Sequence, residues 1–155
     1  MTPDLKQEIH QKKPFKSLHQ EAQLNIVRTS NLLVDSFEQM LKPYGITGTQ
    51  YNELRILRGA EPEGLCRNEV RARLLNRMPD ATRLLDRMEE GGLVTRARSG
   101  EDRRLVTTRI TKKGRHLVDS LDDVVEKKHR QQLGHLTEQQ LRTLIKLLTQ
   151  VRNPD

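Results

Sequence analysis

The chain has 155 residues, 28 Lys and Arg against 21 Asp and Glu, 34% hydrophobic residues and no Trp. That length fits one domain with helical appendages. So low an apolar share leaves little material for a self-sufficient core, so a second copy is expected to complete the burial. The net charge of +7 favours a polyanionic partner.

The charge is unevenly placed. Residues 64–114 hold 13 Lys and Arg against 7 Asp and Glu, a net +6, and the rest of the chain is nearly balanced. One cysteine, Cys66, excludes an intramolecular disulfide and fits a reducing cytoplasm. No stretch approaches the ~20 apolar residues of a membrane span, and no N-terminal segment resembles a signal peptide, so no membrane partner is expected.

In chain order, residues 1–15 are polar and aperiodic and read as a flexible arm. From Lys16 to Leu41, Leu18, Ala22, Ile26, Leu33, Phe37 and Met40 recur at mostly helical spacing, and Pro43 and Gly45 end the run. Leu24, Val27, Leu32 and Val34 widen that stripe beyond the needs of one core, which points to a second packing partner. Thr47 and Gln50 have capping-box spacing and open a helix to about Gly59, with Tyr51, Leu54 and Leu57 inward.

Glu61 to Gly64 form a turn, and Arg67 to Leu75 a short helix with Val70 and Leu74 buried. Pro79 suits the first turn of the next helix, because the N–H it lacks would go unpaired there. Ala81, Leu84, Leu85 and Met88 follow the i, i+3, i+4, i+7 pattern up to Gly91 and Gly92. Leu93 to Arg98 and Leu105 to Ile110 read as a strand pair with a projecting loop, SGEDRR, between them. A helix from about Thr111 to Gln131 and a last one capped by Thr137 and Gln140 complete the chain.

The expected fold class is therefore mainly α with a small β-hairpin wing: a winged helix-turn-helix flanked by N- and C-terminal helices. In such a unit one short helix enters the major groove of DNA and reads bases with its N-terminal residues, while the hairpin reaches the backbone or the minor groove. With Ala81, Leu84, Leu85 and Met88 inward, Pro79, Asp80, Thr82, Arg83, Asp86 and Arg87 face outward. Arg77, Asp80, Thr82 and Arg83 are the candidate base readers. Asp80 serves equally well as a helix-start carboxylate at the positive end of the dipole, and Arg87 equally well as a member of a solvated charge lattice. On composition alone, SGEDRR is as well explained as an exposed charged turn.

Residues 81–114, ATRLLDRMEEGGLVTRARSGEDRRLVTTRITKKG, resemble the MarR family of bacterial transcriptional regulators, above all in Asp102-Arg103-Arg104 followed by Val106, Ile110, Thr111 and Gly114. Weaker similarity spans about residues 18–150. The resemblance implies that Asp102 braces the wing and that Arg104, with Arg103, enters the minor groove, whose narrow form attracts arginine. It implies double-stranded DNA as partner and a homodimer built from residues 16–46 and 111–155, with residues 47–110 as the DNA-binding domain. It also implies a near-palindromic operator, repression by default, and release by a small aromatic or anionic effector whose binding residues the sequence does not name.

Two positions depart from the family pattern. Cys66 stands where relatives carry a Thr or Ser cap, and Met78 replaces a frequent Ser. His10, His19, His116, His129 and His135 join no catalytic or metal-ligand motif, so neither an enzyme nor a bound metal or cofactor is expected. The rival reading is a winged-helix module that binds DNA without sequence preference, or binds another protein.

Overall fold

The computed structural model describes every residue except 77–80, 99, 103 and 155, together with the side chains of Ala81 and Thr82. The chain divides into two compact units, Met1–Gly48 and Thr49–Asp155.

The first unit is helical. Within the segment read as an arm, α1 (Leu5–Glu8) forms because Asp4 and Gln7 make a reciprocal capping box, and Leu5 is buried. The long α2 (Leu18–Leu41) starts at Ser17, whose hydroxyl accepts from the Gln20 backbone N–H at 3.1 Å. A 3-10 turn, Lys42–Tyr44, ends it at Gly45 in the left-handed region. Leu41 is the one buried residue of α2. Of the expected stripe, Leu33, Phe37 and Met40 are partly covered, whereas Leu18, Ala22 and Ile26 stand exposed beside Leu24, Val27, Leu32 and Val34.

The second unit opens within α3 (Gly48–Arg58), which buries Tyr51, Leu54 and Leu57 as expected, and Gln50, Asn52 and Glu53 besides. Gly64 comes next in a turn at φ 77°, where a Cβ would strike the Thr108 carbonyl. That close approach lays β1 (Leu65–Cys66) against the later strand that carries Thr108. The two-residue strand was not legible as one, since so short a run shows no alternation.

Next come α4 (Arg67–Arg73), α5 (Ala81–Glu90), β2 (Val94–Arg98) and β3 (Val106–Ile110). The sheet has three strands in the order β1-β3-β2, all antiparallel, with Leu65 opposite Thr108 and Val94 opposite Ile110. The wing is thus a hairpin widened by a third short strand. Helix α4 stops two residues early, leaving Leu74 half-buried and Leu75 exposed.

Val70, Leu85, Met88, Val94, Thr108 and Ile110 form the buried side of this winged helix-turn-helix. At its edge α6 (Lys112–Leu133) is capped by Thr111, whose hydroxyl accepts from Gly114 N–H at 3.0 Å and donates to the Gly92 carbonyl at 2.6 Å. Arg58 of α3 forks onto Asp119 and Asp122 of α6 at 2.7–3.0 Å. Finally α7 (Glu138–Arg152) begins at the Thr137/Gln140 capping box and buries no residue at all.

Candidate nucleic-acid interface

The helix-turn-helix starts at Cys66, the N-cap of α4, whose backbone is held by Glu69. The Cys66 backbone N–H donates to Glu69 Oε2 at 2.8 Å, and that bond holds the Glu69 carboxyl below its usual range. The carboxylate three residues in thus satisfies the N–H of the cap residue, which is the reciprocal half of a capping box. Asn76, three residues past the end of α4, donates from Nδ2 to Thr49 Oγ1 at 3.2 Å and so ties that segment to the start of α3.

Of the sequence-predicted contact residues, Arg77, Pro79, Asp80 and Arg103 lie outside the described residues, as does the Thr82 side chain. Arg83 and Arg87 are exposed on α5. Four residues apart, they share one helical face, opposite buried Leu85 and Met88. Asp86, read as an outward residue, is half-buried. It and Glu89 turn to the flank beside β2, where Arg96 Nη2 takes Asp86 Oδ1 and Glu89 Oε1, the latter at 3.0 Å. The guanidinium holds the Glu89 carboxyl below its usual range. Arg96 was not singled out from the sequence. The i, i+3 spacing of two acids beside a strand-borne arginine was the available signal.

At the wing tip, Asp102 Oδ1 accepts from the Arg104 backbone N–H and the Asp102 carbonyl accepts from Leu105 N–H, both at 3.0 Å. This local turn fixes where Arg104 leaves the loop, and the Arg104 side chain is exposed. Arg98 is exposed on the adjoining strand, while Arg109 is occupied by the Pro62 carbonyl at 3.1 Å. The unit therefore offers exposed guanidinium groups from two places, a helix face and a hairpin tip, braced on one small sheet. Planar five-donor groups of this kind suit guanine edges, phosphates and narrow minor grooves.

This geometry recurs in known proteins. A crystal structure of a MarR transcription factor from Planctomyces limnophilus is 38% identical to the chain, with a TM-score of 0.69 over 88% of this chain and 98% of that one. The chain belongs to the MarR family. The MarR family model itself matches residues 44–105. A mutant MarR from E. coli, solved in complex with operator DNA, is 25% identical with a TM-score of 0.76, covering 96% of this chain and 99% of that one. The HTH-type transcriptional regulator FarR of Neisseria gonorrhoeae is 26% identical over 116 residues, 75% of this chain and 78% of that protein. The chain is a DNA-binding transcription regulator with the winged-helix fold of that family.

Among the described residues, no three His, Cys, Asp or Glu side chains come together as a metal ion would need, and no helix is long and apolar enough to cross a membrane.

Proposed function

We propose that the protein is a sequence-specific repressor that acts in the cytoplasm as a homodimer on a near-palindromic operator. The observation that carries this reading is the pairing of exposed Arg83 and Arg87 on α5 with exposed Arg104 at a tip shaped by Asp102. Helix α5 enters the major groove, led by residues 77–82, and the wing, with Arg103 and Arg104, enters the adjoining minor groove.

The homodimer reading is supported by apolar side chains left uncovered on both flanking helices. Leu32 and Val34 of α2 are 61% and 54% exposed, and Ile145, Leu147 and Val151 of α7 are 64%, 54% and 63% exposed. So much apolar surface on two helices calls for a partner, and a second copy supplies matching surface by symmetry. Residues 16–46 and 111–155 then assemble the dimer and residues 47–110 bind DNA. A two-fold dimer reads half-sites about 34 Å, one helical turn, apart. A small aromatic or anionic effector relieves repression only by binding the DNA-incompetent spacing of the two α5 helices more tightly, since equal affinity shifts nothing.

The test is a titration of the purified protein against duplex from upstream of its own gene and against random duplex of equal length. Specific regulation predicts preferential binding to the former, weakening steeply with salt. Equal affinity for both would replace the proposal with a non-specific DNA-binding module, and no binding to either with a protein-interaction module.

A further inference from the structure

Three features of the second unit lie outside the DNA-contact surface: the buried Glu53, the Arg58–Asp119–Asp122 cluster, and the triad of Arg96 with Asp86 and Glu89. The triad bears most directly on DNA recognition. Asp86 and Glu89 sit three residues apart on α5, on the flank beside β2 and away from the face that carries Arg83 and Arg87. Arg96 occupies the middle of β2, opposite Thr108 of the central strand.

Its guanidinium, about a quarter exposed, bridges both carboxylates, and its backbone N–H donates to the second oxygen of Glu89 at 3.0 Å. Glu89 thus grips β2 by main chain and side chain together. Among the described residues, the other hydrogen bonds around the end of α5 lie at the wing's base: Leu93 N–H to the Met88 carbonyl, Thr111 to the Gly92 carbonyl and Lys113 to the Gly91 carbonyl. Strand β1 holds β3 from the other side, with Cys66 opposite Thr107, and so ties the sheet to the start of α4. The triad ties β2 to α5 itself, two residues beyond Val94.

We infer that Arg96 is a positioning residue for DNA recognition: it sets the angle between α5 and the wing, so that Arg83 and Arg104 reach their two grooves at once. The inference rests on the proposed roles of those two arginines. Its competitor is simple charge compensation, in which Arg96 only masks two acids that would otherwise repel phosphate. Geometry favours positioning, because one nitrogen, Arg96 Nη2, joins both carboxylates while the Arg96 backbone N–H fixes the same Glu89.

The experiment uses the full chain and a duplex selected by the wild-type protein. Affinity is measured for wild type, Arg104→Ala, Arg96→Gln and the double variant, with thermal melts to establish folding. Arg96→Gln should weaken binding by about tenfold, and Arg104→Ala should then cost far less than it does beside Arg96, because an unheld wing no longer delivers Arg104. Hydroxyl-radical protection in the minor groove should fade while guanine N7 protection in the major groove persists. Arg96→Gln with Glu89→Gln restores the net charge of the triad and should stay weak.

Recovery of wild-type affinity by that pair would establish charge compensation and overturn positioning. So would an equal cost of Arg104→Ala in both backgrounds. Should Arg96→Gln melt below the assay temperature, the same comparison is made at a lower temperature at which all four proteins are folded. A wild-type protein that selects no discrete sequence would reject the regulator reading itself, and Arg104→Ala without cost beside Arg96 would reject the wing contact. Either result removes this inference too.

Discussion

Glu53→Gln should remove a pH dependence of stability worth about 3 kcal/mol. Glu53 is fully buried on α3, and among the described residues neither of its carboxyl oxygens has a hydrogen-bond partner. Burial raises its pKa from the ordinary 4.5 to about 7. Among the described residues no charged group biases it, since Arg58 is taken by Asp119 and Asp122, and Arg55 reaches Asn52.

A proton held more tightly in the folded chain stabilises the fold at low pH. The contribution is complete below about 4.5, falls as the unfolded chain ionises, and is gone once the pH has passed about 7. At about 1.4 kcal/mol per pH unit, the interval between those two values gives about 3 kcal/mol. The assay is urea unfolding followed by circular dichroism, from pH 4 to pH 8 at one protein concentration, for wild type and Glu53→Gln. The absolute stability of the variant is not decisive, because a buried unpaired amide has its own cost. The difference between the two curves is: it should shift by about 3 kcal/mol in favour of the variant across that range. Parallel curves would mean that Glu53 ionises as an ordinary wet carboxylate, and the dry site would be refuted.

Arg83→Ala should relax preference at particular base pairs by about 1 to 3 kcal/mol, read from binding to single-substituted operators. Arg104→Ala should weaken all sequences alike and reduce the slope of log affinity against log salt by about 1. Ile145→Asp places a charge on the uncovered face of α7 and should shift light scattering towards the mass of one chain. Gly114→Ala should lower stability by about 1 to 3 kcal/mol in thermal or urea melts, because the added methyl meets the Leu93 carbonyl and the Ile110 side chain at the start of α6.

How much was legible depends on whether the signal was local. Thr137 announced α7 because a cap and its helix are neighbours in sequence, the spacing of Leu117, Val118, Leu121, Val124 and Val125 marked α6, and Gly91 with Gly92 marked the end of α5, all of them local signals. The DRR motif located the wing tip, where Asp102 and Arg104 are two residues apart. What escaped depends on tertiary contact. Strand β1 exists because Gly64 turns Leu65 and Cys66 onto β3, and two residues carry no period. Glu53 looks like an ordinary helical acid until its complete burial is seen. Arg96 finds Asp86 and Glu89 across the helix-to-strand turn, whereas the helical period that set Ala81, Leu84, Leu85 and Met88 inward made Asp86 an outward residue. On α2 the broad apolar pattern was readable, but which side of it stays uncovered was not, and Leu18 and Ile26 proved as exposed as the surplus positions.

The central claim is sequence-specific recognition by a two-fold dimer, and selection of bound fragments from fragmented genomic DNA tests it most directly. The account predicts recovery of a small set of fragments sharing two inverted half-sites about one helical turn apart, with enrichment lost for a protein carrying both Arg83→Ala and Arg104→Ala. Uniform recovery of fragments, or enrichment unchanged by those two substitutions, would contradict it.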